Sequence, residues 1–213
     1  MTSLTELDSP HVEGTRTLEV DAGEGPVCLF LDGQFYRQHI GIPSALEELG
    51  LRAATLTSGT GEDRHRDLTC APHYVRFIVD DVLPRIDGPV SLLVGVSLSG
   101  LAVAHLAFER PHVFPKIIAQ SPSAWWNREA LVQRIREAGG APARAWISVG
   151  TREVETDVRH PPTAMHQETS QWDSVERLVQ AWGSTATLEP FEGGHEVAGW
   201  KGEIGRAITW AMG

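Results

Sequence analysis

The chain of 213 residues carries 28 acidic side chains against 18 basic ones, so its formal net charge is −10, and 41% of its residues are hydrophobic. This composition excludes a disordered chain and a disulfide-rich scaffold, and the negative charge argues against a nucleic-acid-binding protein, which needs a basic surface. No run of about 18 apolar residues occurs, so we expect no membrane association, and the length favours a single domain over residues 1–213.

Short apolar runs predict the strands of a buried sheet. In chain order these strands lie at residues 15–20, 27–32, 53–57, 89–96, 116–121, 143–150 and 185–191. Helical patterns alternate with them, at residues 43–50, 73–86, 99–109, 128–139, 167–183 and 202–212. The alternation predicts an α/β fold with a mainly parallel central sheet and helices on both faces. We expect the polar, proline-rich stretch 152–162 to be a loop.

The N-terminal segment and the two cysteines bear on location. The first fifteen residues contain neither the basic region nor the apolar run of a secretory signal. Cys28 and Cys70 form no CxxC pair, so we expect two free thiols in a reducing compartment. The sequence therefore predicts a cytoplasmic protein.

The strongest chemical signal lies where the predicted strand 89–96 ends. The apolar run passes into Gly95-Val96-Ser97-Leu98-Ser99-Gly100, and a helical pattern follows at once. A serine on such a tight turn is typical of a nucleophile elbow, which lifts the hydroxyl above the sheet and needs small flanking residues. Gly95 meets that need, and Ser99 stands where a glycine is usual. The pattern predicts Ser97 as a nucleophile; the alternative is a plain structural turn.

A serine nucleophile needs a base and an orienting acid, which follow it in the chain in this fold class. His195 lies in a glycine-rich segment between the last predicted strand and the last helix, whereas His105 falls inside a buried helix and is expected to be a core residue. Glu153 follows the end of strand 143–150, where a carboxylate could hold the imidazole tautomer. Asp157 is the rival acid.

Six segments resemble motifs of the enterochelin (ferric enterobactin) esterase family, within the esterase D-like α/β-hydrolases. They are FLDGQFY (30–36), DRHRDLTCAPHYVRFIVDDVLP (63–84), GVSLSG (95–100), AQSPSAWW (119–126), VGTRE (149–153) and EGGHEVAGWKGEI (192–204). Tyr36 replaces the family's usual Trp, and Asp67 its Glu. The resemblance implies an α/β-hydrolase fold over roughly residues 27–212.

The same resemblance implies an activity and residue roles. The family hydrolyses ester bonds of catecholate siderophores, and its cytoplasmic members have an N-terminal domain; this chain is expected to begin at the catalytic core. Ser97 and His195 fall on the family's nucleophile and base. Glu153 falls on its G-x-R-E position, although some relatives are thought to work mainly with Ser and His, so the acid is Glu153, Asp157 or no residue.

An acidic protein that binds a ferric catecholate, a bulky trianion, needs a local basic cluster. Arg64, His65 and Arg66 could supply it, and Trp125 and Trp126 could stack on catechol rings. The alternative for the arginines is pairing with the neighbouring Asp63 and Asp67, and one of the two tryptophans is expected to be core.

The expected reaction is attack of Ser97 on an ester carbonyl while His195 takes the proton. The backbone N–H of Leu98 and that of Gln34 or Gly33 would form the oxyanion hole. No zinc-protease, CxxC or P-loop motif is present, so no metal or other cofactor is expected, and any iron would belong to the substrate.

Three other readings stay open at this stage. One is a different carboxylesterase that acts on feruloyl or acetyl esters. Another is an acyltransferase of the mycolyltransferase kind, in which a sugar alcohol replaces water. The last is a non-catalytic hydrolase-like binding protein. The acyl group cannot be predicted from the sequence, because the fold and the triad indicate acyl transfer but not which acyl group is transferred. The oligomeric state cannot be predicted from the sequence either.

Overall fold

The computed structural model describes residues 2–42 and 44–213. Its ten strands are β1 Thr2–Leu7, β2 Arg16–Asp21, β3 Val27–Leu31, β4 Arg52–Leu56, β5 Val90–Val96, β6 Lys116–Gln120, β7 Arg144–Gly150, β8 Val158–His160, β9 Met165–Gln167 and β10 Ala186–Phe191. Eight of them form one sheet in the order β1-β2-β4-β3-β5-β6-β7-β10. Only β2 runs against its neighbours; all other pairings in this sheet are parallel.

The helices lie between these strands in the chain. They are α1 Gly33–Phe35, α2 Ala45–Glu48, α3 Gly61–Leu68, α4 Pro72–Arg76, α5 Leu98–Glu109, α6 Trp126–Glu137, α7 Gln171–Trp182 and α8 Val197–Met212. A π-helical turn, Tyr36–Ile40, extends α1, while a π-helical segment, Phe77–Val82, and a 3₁₀ turn, Leu83–Arg85, extend α4.

The sheet is covered on both faces. Strand β5 is apolar at successive positions because both of its faces are buried: Leu93 packs into one core, and Leu92 and Val94 pack into the other. The first core takes in side chains of α4 to α7, and the second takes in those of α1, α2 and α8. The predicted mainly parallel sheet with helices on both faces is therefore confirmed.

Several element boundaries differ from the predictions for local reasons. Helix α8 begins at Val197, five residues before the predicted start at residue 202. Gly199 lies inside the helix and does not break it. A Cβ at this position would lie 2.2 Å from the Phe191 ring, so the glycine permits the helix to pack there. Helix α7 begins at Gln171, after Ser170 accepts a hydrogen bond from Asp173 N–H at 3.0 Å. Pro43, with which the predicted helix 43–50 begins, lies outside the described residues.

The prediction of a loop over residues 152–162 is wrong in part. Strand β8 lies inside this stretch and pairs antiparallel with β9 to form a separate hairpin. Each of its strands has only three residues, too few to give a visible alternation of polar and apolar side chains. Strand β1 and helices α1 and α3 were not predicted either.

Candidate active site

Ser97 lies on a strained turn between β5 and α5. Its φ of 56° and ψ of −117° are unusual for a residue with a side chain. The turn needs glycine at position 95, where a Cβ would lie 2.3 Å from the carbonyl oxygen of Ser99. The Ser99 hydroxyl accepts from the N–H of Val96 at 3.0 Å and donates to its carbonyl oxygen at 2.8 Å. A serine in place of the usual glycine therefore fits this turn and secures it.

The backbone of Ser97 is held on both sides. Its N–H donates to the carbonyl oxygen of Gln120 at 2.8 Å, and its own carbonyl oxygen accepts from the N–H of Ser123 at 3.0 Å. These bonds join the turn to the end of β6 and to the segment that follows it. The hydroxyl oxygen is left facing a surface cleft.

His195 joins Ser97 to Glu153. Its Nε2 lies 3.0 Å from Ser97 Oγ, and its Nδ1 lies 2.6 Å from Glu153 Oε2. The indole of Trp200 packs edge-on against the imidazole, with ring centroids 4.8 Å apart and planes at 85°. Three segments that are distant in the chain thus place a hydroxyl, an imidazole and a carboxylate in one hydrogen-bonded row.

The carboxylate of Glu153 is buried and fully hydrogen-bonded. Its side chain is 1% exposed. The second oxygen, Oε1, accepts from the N–H of Gly150 at 2.7 Å and from the hydroxyl of Ser121 at 2.6 Å. Ser121 in turn accepts from the indole N–H of Trp200 at 2.9 Å. These donors compensate the carboxylate for lost water and fix its orientation toward His195.

The rival acid, Asp157, is not brought to His195. Its side chain is 85% exposed, and it contacts His166 of the β8–β9 hairpin. His105, expected in the core, is buried as predicted.

The Ser97–His195 pair lies between two cavities that share Arg64. The first, of about 530 Å³, we call the polar arm; it is lined by residues that include His65, Leu98, Trp125, Arg152, Glu155 and His160. The second, of about 690 Å³, we call the aromatic arm; it is lined by residues that include Gln34, Phe35, His39, Val96, Val197 and Trp200. An ester whose carbonyl lies at Ser97 could extend one part into each arm.

The two arginines predicted to bind substrate are separated in the structure. Arg64 borders both arms and donates two hydrogen bonds to Asp32, from Nε at 3.0 Å and from Nη2 at 2.6 Å. Arg66 lines neither arm. It lies 3.0 to 3.2 Å from carboxylate oxygens of Glu13, Asp63 and Asp67. The expected basic cluster therefore does not form at the cleft, because carboxylates engage both guanidinium groups.

The two tryptophans are separated as well. Trp125 is buried and lines the polar arm, where its ring stacks on His160 with centroids 4.7 Å apart and planes at 12°. Its indole N–H donates to Gln171 Oε1 at 2.6 Å. Trp126 instead lines a neighbouring cavity with Arg177. Only Trp125 is positioned to contact a group bound in the cleft.

The predicted oxyanion-hole residues lie on two helix N-termini. Leu98 is the first residue of α5, so its N–H has no acceptor within the helix, and it borders the polar arm. Gln34 borders the aromatic arm, and its side chain is held by two 3.2 Å hydrogen bonds with Ser58. Gly33 is buried against β4, where a Cβ would lie 2.6 Å from Thr55. Of the two candidates for the second donor, Gln34 is the one at the cleft.

Sequence reasoning missed several residues of the site. Ser121 follows β6 at the same sheet edge as Ser97 and Glu153, and that position was the available signal. Phe35 and Trp200 gave no such signal, since both lie in helices at positions typical of core packing. Within the described residues, no group of three or more His, Cys, Asp or Glu could hold a metal ion. None of the described helices is long and apolar enough to cross a membrane.

Known proteins that this chain resembles in sequence and in fold include esterases. A family model described as "Putative esterase" matches residues 17–210. The iron(III) enterobactin esterase of Dickeya dadantii is 26% identical over 232 residues, which cover 93% of this chain and 50% of that protein. The chain thus spans about half the length of this curated relative.

Solved structures show the same fold. The enterobactin esterase FES from Shigella flexneri, determined in the presence of 2,3-dihydroxy-N-benzoyl-serine, superposes with a TM-score of 0.79 at 18% identity, covering 99% of this chain and 59% of that one. A ferulic acid esterase superposes with a TM-score of 0.71 at 13% identity, covering 100% and 97%. The fold is therefore of the α/β-hydrolase type, as predicted, and the match over residues 17–210 shows that the chain belongs to the esterase family.

Proposed function

We propose that this chain is a serine esterase that hydrolyses carboxylic esters with Ser97 as nucleophile, His195 as general base and Glu153 as the orienting acid. The observation that supports the proposal is the row of hydrogen bonds from Ser97 Oγ through His195 to Glu153, at 3.0 and 2.6 Å, with the serine on a strained strand-to-helix turn. Geometry of this kind activates a hydroxyl that is otherwise a weak nucleophile.

The proposed reaction has two halves. Ser97 Oγ attacks the ester carbonyl carbon while His195 Nε2 accepts its proton, and the N–H groups of Leu98 and Gln34 stabilise the oxyanion. His195 then gives the proton to the leaving alcohol as the carbon–oxygen bond breaks. Water attacks the acyl-enzyme with His195 again as base, which releases the acid and restores Ser97. Each oxyanion donor contributes about 3 kcal/mol to lowering the barrier.

For the substrate, we propose an ester of the catecholate-siderophore type. Support comes from the names of relatives such as the Dickeya dadantii esterase and from the ring-lined arm beside Ser97. Arg64 and Trp125 are the predicted substrate contacts that remain at the cleft. We propose a cytoplasmic location on the strength of the free thiols at Cys28 and Cys70. The assignment of residues 1–213 to one catalytic domain stays a prediction.

A second candidate is a carboxylesterase for feruloyl or other aryl esters. The observation that favours it is the set of rings from Phe35, His39 and Trp200 along the aromatic arm, which suits any flat acyl group. Transfer to a sugar alcohol, as in mycolyltransferases, would use the same serine and histidine. A competing alcohol in the assay separates the two, because a transferase forms a new ester and a hydrolase forms the free acid.

The test is a substrate panel of enterobactin, methyl ferulate and p-nitrophenyl acetate with the wild type, Ser97→Ala and Ser184→Ala. Ser184 is exposed and distant from the cleft, so its variant is the matched control. We expect hydrolysis by the wild type and the control, and a loss of roughly 10⁴-fold in Ser97→Ala. Binding without turnover by all three proteins would instead support a non-catalytic hydrolase-like protein.

A further inference from the structure

The charge of the cleft is the opposite of what a polyanionic substrate requires. Among the described residues, the two arms are lined by two cations and four carboxylates: Arg64, Arg152, Asp32, Glu153, Glu155 and Glu196. Their formal sum is negative when the histidines are neutral. The whole chain carries a net charge of −10, which adds to the same field.

Both cations already have carboxylate partners in the cleft. Arg64 forms the two-point contact with Asp32, whose side chain is 3% exposed and also accepts a hydrogen bond from the Ser58 hydroxyl. Arg152 lies 3.2 Å from Glu196. For either guanidinium to bind an anionic ligand, it would have to leave or share its partner. In the case of Arg64 this would leave a buried carboxylate unpaired, which is costly.

Two of the cleft histidines do not add positive charge near neutral pH. Burial lowers the pKa of His65, and nearby Arg64 lowers it further. Burial also lowers the pKa of His160, although the hydrogen bond that its Nε2 donates to Gln167 Oε1 raises the pKa, and nearby His195 lowers it again. Glu155 lines the polar arm and is exposed, and no ion pair among the described residues includes it, so its charge adds to the negative field of the cleft.

We propose, resting on the proposed function, that this cleft selects an uncharged ester with an aromatic part and discriminates against multiply charged anions. Among catecholate esters it would therefore take the iron-free form. Phenols are weak acids, with a pKa of about 10 for tyrosine, so the iron-free ester carries far less negative charge near neutral pH than its ferric complex, which is a trianion. The Dickeya dadantii relative is named for the iron(III) form, so the two proteins would differ in which form they use.

Binding and turnover are measured separately to test this proposal. The Ser97→Ala variant is titrated with enterobactin and with ferric enterobactin, in about 0.02 M and about 0.5 M NaCl, where charges are screened over very different distances. We expect enterobactin to bind about tenfold more tightly than the ferric complex at low salt. High salt should reduce the difference between the two affinities, because it should improve the affinity for the ferric complex and leave the affinity for enterobactin nearly unchanged.

A pair of charge-neutralising variants locates the effect. In the Ser97→Ala background, Glu155→Gln removes one carboxylate from the rim and should improve binding of the ferric complex about threefold at low salt. Glu137→Gln removes one exposed carboxylate from α6, outside the cleft, and is the matched control, so it should change that affinity far less.

The outcomes distinguish this proposal from the proposed function. The charge selection would be overturned if ferric enterobactin bound as tightly as enterobactin, or if its binding weakened as the salt concentration rose. Either result would count even if the wild type hydrolyses both compounds. Binding in the expected order with no ester hydrolysed by the wild type would overturn the esterase and leave the selection standing.

Discussion

Ser121 donates a hydrogen bond to Glu153 at 2.6 Å and accepts one from Trp200 at 2.9 Å, so one hydroxyl joins the buried carboxylate to the ring that packs against His195. Ser121 contacts none of the reacting atoms in the proposed mechanism. It orients the carboxylate of Glu153 directly and, through Trp200, the imidazole of His195. In this account it is a positioning residue.

Replacing Ser121 with Ala therefore lowers kcat by about tenfold and changes KM little, because the carboxylate loses one of its donors while the cleft keeps its lining. The pH dependence of kcat should also change, because Ser121 helps to hold the carboxylate that contacts His195. Steady-state kinetics from pH 5 to pH 9 provide the measurement. An unchanged kcat and an unchanged profile would show that Ser121 has only a structural role.

Replacing Glu153 with Gln tests the acid. The amide cannot stabilise the imidazolium that forms when His195 takes a proton, so kcat should fall by roughly 10³- to 10⁴-fold with little change in KM. Asp157→Asn is the matched control, since Asp157 was the rival acid and contacts His166 instead. Equal activity of the two variants would mean that the chain works with serine and histidine alone.

Arg64 and Arg66 should differ in their effect on stability. Arg64→Ala leaves the buried carboxylate of Asp32 without its guanidinium partner and should lower the free energy of unfolding by about 3 kcal/mol. Arg66→Ala should lower it by less than about 1 kcal/mol, because Arg66 is more exposed and the buried Asp67 keeps its contact with Arg16 at 2.7 Å. Urea unfolding at pH 7 compares the two, and equal losses would contradict this assignment.

The buried His105 makes stability depend on acid pH. Burial lowers its pKa to about 4, outweighing the attraction of Glu109. The unfolded chain, with a histidine pKa of about 6.5, therefore binds more protons than the folded chain between pH 6.5 and pH 4. The free energy of unfolding should fall by up to about 3 kcal/mol as the pH drops through this window.

The measurement is the difference in unfolding free energy between the wild type and His105→Gln at pH 7, pH 5.5 and pH 4.5. Other groups titrate in both proteins, so their contribution cancels in the difference. As the pH falls, the unfolding free energy of the wild type should decrease steadily relative to that of His105→Gln. A difference that does not vary with pH would show that His105 is protonated as easily in the fold as in the unfolded chain.

Much of the sheet could be predicted from the sequence because its strands are buried on both faces. Residues 27–31 are apolar throughout, and residues 90–96 and 144–150 are largely apolar, for that reason. Strand β1 was missed because it lies at the edge of the sheet, where Thr2, Ser3 and Leu4 are exposed and no apolar run is required. Helix α1 was missed because it is three residues long, too short for a helical period to appear.

The Ser97, His195 and Glu153 positions could be predicted because each follows a strand at the same edge of the sheet. The contacts around these three residues could not be predicted. Whether Arg64 faces a substrate or Asp32 depends on a contact between residues 32 positions apart, and the stacking of His160 on Trp125 depends on a hairpin that the sequence did not reveal. Charge pairing across the cleft is a tertiary property: the fold pairs the arginines of the expected basic cluster, Arg64 and Arg66, with carboxylates.

The most direct test of the account is covalent labelling of the nucleophile. An aryl fluorophosphonate reacts with a serine only when a base activates it and an oxyanion hole receives the developing charge. We predict that the wild type gains the mass of one phosphonyl group, that peptide mapping places it on Ser97, and that esterase activity is lost in step with labelling. Labelling of another residue, or ester hydrolysis that persists in Ser97→Ala, would contradict the central claim.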